Sequence, residues 1–302
     1  MYKVFLLSRF IASFLRLFLP IALLLVSVTY LYGQAEIERE LTHLKTQETL
    51  SVGLSARTVG QTVKAIKDDV LFLASLAEFR NAEATPTEKD LAQLTGHFVD
   101  VSLIKQTFNQ IRWINEAGIE IIRVDLVDGR PIVVPADKLQ YKGDRYYFKD
   151  SVTLRPGEVF VSPLDLNIEQ DKLEQPYRPM LRVATPVVDN KGNRRGIVII
   201  NYSAQLTLDA FVAAGKAADH LILLNNESYF LRSPKRTDEW GFMFNRPELK
   251  LSARSPAAWN LIAGADNGQT ELSDGIWTWR TVHPLLAGTG AVCEWSDPQS
   301  LK

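Results

Sequence analysis

Two arginines stand inside stretches otherwise suited to a buried strand: Arg123 in "EIIRVDLV" and Arg182 in "PMLRVATPVV". A guanidinium in such a run needs a partner, because charges are rarely buried alone. Two readings follow. One is a cross-strand ion pair, Arg182 with Glu120 or Asp125. The other is a side chain that faces a ligand, since buried charges also gather at functional sites. A second concentration of chemistry is "YKGDRYYFKD" at 141–150, with three tyrosines, a phenylalanine and five charges in ten residues. A solvated loop does not need so many rings, and a core strand would not take so many charges.

Other chemistries find little support. The single cysteine, Cys293, excludes an internal disulfide framework and a cysteine-cluster metal site. The four histidines, His43, His97, His220 and His283, have no ligand spacing, and HExxH, GxxxxGK[ST], GxSxG and GxGxxG are absent. An exported hydrolase lacks a Ser/His/Asp set or a metal cluster. The residues therefore favour binding over catalysis, with no cofactor. With 34 Lys+Arg against 35 Asp+Glu, the formal net charge of -1 gives no electrostatic argument for nucleic acid.

The elements that must position these residues begin at a membrane. From Leu17 to Tyr32, "LFLPIALLLVSVTYLY" carries no charge, and Lys3, Arg9 and Arg16 precede it while the first acid, Glu36, follows. If Arg16 reaches back to the interface, residues 10–33 are long enough to span a bilayer as a helix. The basic flank assigns residues 1–9 to the cytoplasm and the rest to the outside. A cleaved signal peptide is the alternative; the apolar run is long for one.

Residues 34–82 read as one long helix without proline. Leu41, Leu44, Leu50, Leu54, Val59, Val63, Ile66, Val70, Leu73 and Leu76 recur at steps near three and four. A pair of helices broken near Gly53 or Gly60 is the competing reading, but one glycine costs only about 1 kcal/mol. The apolar stripe left over could join the same helix of a second chain in a homodimer. Pro86 interrupts the pattern, and a second helix follows, with Thr87 and Asp90 near its start. From residue 106 the period changes to two. "TFNQIRWINEAGIEIIRVDLVDGRPIVVP" reads as strands separated by turns at "NEAG" and "VDGR". Strict alternation puts Arg123 and Asp125 on one face and Glu120, Ile122 and Val124 on the other. Two more strands flank "DNKGN". A connecting helix, a hairpin around "NNE" and a last strand "GIWTWRTVHPLL" complete the chain, and Trp113, Trp277 and Trp279 read as packing residues.

In this order, "DRYYFKDSVTLRPGEVFVSP" and "PMLRVATPVVDNKGNRRGI" resemble the double Cache (PDC-like) extracellular sensor domains of bacterial histidine kinases, diguanylate cyclases and chemoreceptors. The resemblance covers about residues 36–285. It implies an α+β fold with two PAS-like antiparallel-sheet modules behind the membrane helix. The membrane-distal module would be 83–210, and the membrane-proximal one 211–302, incomplete at its C-terminal end. It implies ligand sensing without catalysis, any kinase or cyclase output lying outside these residues. Carried onto this sequence, Tyr146 and Tyr147 become pocket-wall rings, and Arg123 and Arg182 hold a carboxylate through paired donors. Asp125 or Asp150 holds an amine. Lys142, Asp144 and Arg145 read as solvated turn charges. The full signature of amino-acid-binding relatives is missing, so the expected partner is a small polar or anionic ligand. An anchored exported binding or scaffold protein without signalling output is the alternative.

Overall fold

The computed structural model describes residues 2–77, 86–169, 172–189, 191–216, 218 and 220–283. Cys293 and the chain end beyond residue 283 lie outside them. Two units are distinguished, Met1–Thr49 and Leu50–Lys302.

The first helix, α1, runs Tyr2–Ala77, with Pro20 inside it. In the first unit its apolar side chains face outward: Leu17, Leu23, Leu24, Leu25 and Val26 are all exposed, and an 18-residue window of this segment is entirely unburied. It is the one helix among the described residues long and apolar enough to cross a membrane. Ile37 and Leu44 further along are exposed as well. In the second unit the helix passes Gly53 and Gly60 without a break. There Ala56, Val59, Val63, Ile66, Val70, Leu73 and Ala77 are buried, a stripe with steps of three and four.

Helix α2 (Glu88–Lys105) starts with a capping box: Thr87 Oγ1 accepts from Asp90 N at 3.2 Å, and the Asp90 carboxylate accepts from Thr87 N at 3.0 Å. Strands β1 (Phe108–Ile114), β2 (Glu120–Val127) and β3 (Arg130–Val133) form a meander. A short helix α3 (Tyr146–Val152) precedes β4 (Phe160–Val161), β5 (Asp165–Leu166), β6 (Ile168–Glu169) and β7 (Lys172–Leu173). Long strands β8 (Pro179–Val188) and β9 (Arg194–Ser203) follow. The antiparallel sheet has the order β3-β2-β1-β9-β8-β4, and β5 also pairs with β8. Helix α4 (Gln205–Ala214) leads to β10 (Leu223–Leu224), β11 (Phe230–Arg232), α5 (Leu251–Arg254), α6 (Pro256–Gly264), and the hairpin of β12 (Asn267–Leu272) and β13 (Gly275–Arg280). Trp277 and Trp279 pack against a small core of Leu224, Phe230, Leu251 and Ile262.

Alternation gives the large sheet two chemically different faces. Ile111, Trp113, Ile122, Val124, Leu181, Val183, Val198 and Ile200 join the buried stripe of α1 and Leu94 and Phe98 of α2 in the main core. Trp113 is therefore a core residue; its indole Nε1 donates to Arg195 O at 2.9 Å. Each fully buried Leu or Ile here contributes roughly 1.5–3 kcal/mol. The opposite face carries a smaller core at one end, where Tyr147 and Phe148 of α3 cover Ile114, Phe160, Ala184, Ile197 and Ile199. The rest of that face is polar.

One departure from strict alternation matters. The β1–β2 register shifts between Trp113 and Ile114, so that Ile114 stands opposite Glu120 while Trp113 stands opposite Ile122. Ile121 is the extra residue of a β-bulge. It packs toward the main core, and Glu120 turns to the face that bears Arg112 and Arg123.

Candidate functional site

The polar face supplies aligned side chains from four strands. Register places Gln110 of β1 opposite Asn201 of β9, and Asn201 opposite Arg182 of β8. Arg112 of β1 stands opposite Arg123 of β2. Two cations directly opposite repel, and Glu120 relieves this. It is 1% exposed, with its carboxylate 3.4 Å from Arg112 Nη1 and 3.9 Å from Arg123 Nη1. Arg123 Nε also donates to Asp125 Oδ1 at 2.8 Å. Arg112 further donates to Asn201 Oδ1 at 2.8 Å and to Tyr147 Oη at 3.2 Å, while its buried Nε has no partner. Arg182 Nη1 donates to Asp165 Oδ1 at 2.8 Å. The partners foreseen for Arg182, Glu120 or Asp125, are thus corrected to Asp165. Arg182 lies beside β5, whereas Glu120 and Asp125 serve the arginines of β1 and β2.

The segment 140–145 is fixed over this face by backbone contacts. Glu120 N donates to Gln140 O and Gln140 N to Glu120 Oε2, both at 3.0 Å. Lys142 N donates to Gly118 O at 2.6 Å. The approach requires glycine: Gly118 has φ +80°, and a Cβ there would lie 2.4 Å from Gly143 Cα. Helix α3 then begins at Tyr146, sending Tyr147, Phe148 and Ser151 inward. The ring-rich stretch thus divides its work. Lys142 and Arg145 stand over the polar face, and Tyr147 and Phe148 seal the neighbouring core.

The result is a cavity of about 410 Å³ lined by Arg112, Arg123, Arg182, Lys142, Arg145 and Tyr147, together with Gln110, Gln140, Asn167, Ile168 and Asn201. Its volume is typical of small-molecule sites, but its walls are far more polar than usual. Burial holds Lys142 below the ordinary lysine range, and the nearby Arg112 and Arg123 add to this. Burial also pushes the Tyr147 phenol up, but Arg112, which donates to it, with Lys142 and Arg145, brings the net shift below the usual value. Burial raises Tyr146, against the opposing field of Arg182.

Of the residues singled out from sequence, Arg123, Tyr147 and Arg182 meet on this cavity. Tyr146 is 40% exposed and does not line it; its ring lies edge-on to Tyr147 at 5.6 Å. Asp125 is engaged by Arg123, and Asp150 is exposed on α3 away from the cavity, so neither presents a carboxylate to it. Of the expected solvated turn charges, Asp144 and Arg145 are exposed, whereas Lys142 is half-buried; Lys142 and Arg145 both border the cavity. Arg112 and Asn201 were missed. The signal that marked Arg123 marks them too: each is a polar residue in an apolar strand, on the same face as Gln110 or Arg182.

A second cavity of about 570 Å³ lies among Tyr177, Leu208, Arg232, Glu239, Trp240 and Phe244, with more apolar walls. Its buried Arg232 is held by Asp209 at 2.9 Å and Glu239 at 4.0 Å. Among the described residues no group of three His, Cys, Asp or Glu is placed to hold a metal ion.

Comparison with known proteins agrees with the architecture. None of the curated proteins matches the chain. Among solved structures, the chain is similar to a domain of a sensory box/GGDEF family protein from Vibrio parahaemolyticus, with TM-score 0.66 and 17% identity over 85% of this chain and 95% of that one. It is also similar to the sensory domain of the Campylobacter jejuni chemoreceptor Tlp3 with isoleucine bound, with TM-score 0.58 and 9% identity over 81% and 89%. A third similar structure is the ligand-binding domain of the Pseudomonas aeruginosa PAO1 amino acid chemoreceptor PctC in complex with GABA, with TM-score 0.53 and 12% identity over 88% and 96%. At these identities the likeness is one of fold, that of Cache-type sensory domains. The family model for the bacterial histidine kinase sensor domain matches residues 52–288, and the chain belongs to that family of sensor, rather than catalytic, domains.

Proposed function

We propose that this chain is the extracytoplasmic sensing part of a membrane-anchored receptor, and that it binds a small anionic molecule in the cavity over the polar face of the large sheet. The observation that carries this reading is the convergence of Arg112, Arg123 and Arg182 on one polar cavity beneath the segment 140–145. Guanidinium groups bind carboxylate or phosphate through paired donors. Structures of similar fold hold amino acids, which supports a small-molecule ligand for this one. The exposed apolar part of α1 supports the anchor, and the basic residues before it support an outward orientation.

The test is thermal unfolding of the full chain in detergent micelles with a panel of carboxylates, phosphates, amino acids and amines. A ligand at a hundred times its Kd stabilises the folded state by about 2.7 kcal/mol. At about 2–4 °C per kcal/mol, that is a rise in Tm of roughly 5–11 °C. Arg123→Gln, at a side chain 17% exposed, is expected to remove most of the rise. A panel without any stabilising member, or a rise unchanged in the variant, would count against the cavity as the site.

A further inference from the structure

We infer that the second cavity, the one bordered by Arg232, Trp240 and Phe244, is a separate ligand site that takes a small aromatic monocarboxylate. Its walls come from three places: Tyr177 and Pro179 at the entry to β8, Leu208 on α4, and the end of β11 with the short turns that follow it. Apolar and aromatic walls with a few placed polar groups are the usual composition of a small-molecule site. The aromatic part is built from rings that the core leaves uncovered. Tyr177 and Phe244 lie 5.5 Å apart between centroids, and both are exposed, while Trp240 gives a buried wall. The turn Gly241–Phe244 is held between two residues in the left-handed region, Trp240 at φ +63° and Asn245 at φ +53°. That conformation is uncommon for a bulky residue, and such positions gather at ligand sites. The two cavities share no lining residue, so the inference stands apart from the site proposed above.

The polar part centres on Arg232, which is 6% exposed. Its Nη2 donates to Asp209 Oδ1 at 2.9 Å, but its buried Nη1 has no hydrogen-bond partner among the described residues. Glu239 Oε1 is 4.0 Å from Nη1, too far for a hydrogen bond, and accepts instead from Ser233 N at 3.0 Å. A buried donor without an acceptor is costly. A ligand carboxylate in the cavity supplies the acceptor, in a charge-assisted bond. The lining charges point the same way. Arg232, Arg236 and Arg246 stand against one lining carboxylate, Glu239, among the described residues. Glu239 is 3.6 Å from Arg236, and Arg246 pairs with Glu248 at 2.8 Å on the surface, where such pairs are weak. An ammonium group would face three cations, and repulsion excludes a partner as effectively as attraction selects one. With rings along the rest of the wall, the complementary ligand is one carboxylate on an aromatic ring, since ring pairs attract at centroid distances of about 4.5–7 Å.

The inference is tested by calorimetric titration of the full chain in micelles with phenylacetate, indole-3-acetate, acetate, phenylacetamide and phenethylamine, with titration into micelles alone subtracted. Acetate lacks the ring, phenylacetamide lacks the charge, and phenethylamine reverses it. One of the two aromatic acids is expected to bind at least tenfold more tightly than each of the other three. Phe244→Ala, at an exposed ring, is expected to weaken that acid at least tenfold and acetate less than threefold. Arg232→Gln is expected to weaken the acid at least tenfold and phenylacetamide less than threefold. An unaltered unfolding temperature checks the fold of Phe244→Ala, which together with the four comparisons in the parent tests the site without Arg232→Gln. Arg123→Gln, in the first cavity, is expected to leave the acid's affinity within threefold. Phenylacetamide or phenethylamine binding as tightly as both acids overturns the anionic ligand, and acetate doing so overturns the aromatic one. Loss of the acid in Arg123→Gln but not in Phe244→Ala puts it in the first cavity and overturns the second site. No binding of either acid also overturns it, and each of these results leaves the first cavity to its own panel.

Discussion

Glu120→Gln removes one buried charge and almost no volume. In the structure Glu120 is the nearest carboxylate to Arg112, whose side chain is 4% exposed. Without it, Arg112 keeps only neutral acceptors, Asn201 Oδ1 at 2.8 Å and Tyr147 Oη at 3.2 Å. Breaking a buried ion pair by removing one partner costs about 3–5 kcal/mol, because the remaining charge stays out of water. Two features put this case at the low end. The 3.4 Å contact is long, and the glutamine oxygen can still accept from Gln140 N. A loss of about 3 kcal/mol at about 2–4 °C per kcal/mol lowers Tm by roughly 6–12 °C in a unit as large as Leu50–Lys302. Thermal unfolding of the full chain in micelles, followed by circular dichroism, measures it. The same substitution in an Arg112→Met background separates the orphaned charge from lost packing, and there it should cost well under half as much. A Tm within 2 °C of the parent, or equal costs in both backgrounds, would refute the reasoning.

Two further outcomes are expected. Asp189, in the β8–β9 turn, accepts from Asn193 Nδ2 and N, Lys191 N and Arg195 Nη2, and these bonds, the Asn193 side chain foremost, lower its pKa from 3.8 to about 2. A depressed folded-state value means its stabilisation is complete above 3.8 and is lost as pH falls toward 2. The stability gap between the parent and Asp189→Asn should therefore close over that window in an acid titration, and a gap independent of pH contradicts the assignment. For topology, a reporter enzyme active only outside the cytoplasm, fused after Lys302, is expected to be active; activity of a cytoplasm-only reporter with silence from the first contradicts the proposed orientation.

Much of this molecule is determined by local periodicity. The steps of three and four from Val59 to Leu73 define a helix and the face it buries, and they do so without reference to any other element. Alternation in "FNQIRWI" and "MLRVATPVV", with glycine turns between strands, defines the antiparallel strands, and an arginine in an apolar run marks the face that needs partners. Thr87 and Asp90 specify a helix start within four residues. Partner identity is different, because it depends on which strands become neighbours and in what register. Arg182 meets Asp165 only because β5 folds back onto β8. Glu120 reaches Arg112 only because a bulge at Ile121 interrupts the alternation that would have sent it into the apolar core. Lys142 and Arg145 read as surface charges by composition; Arg145 stays exposed, but Lys142 is half-buried and both border the cavity because Gly118 lets the backbone of Gly143 approach across the end of the sheet. Periodicity is a property of neighbours along the chain. The set of side chains that meets in the cavity is a property of residues far apart in sequence, so only the tertiary structure decided it.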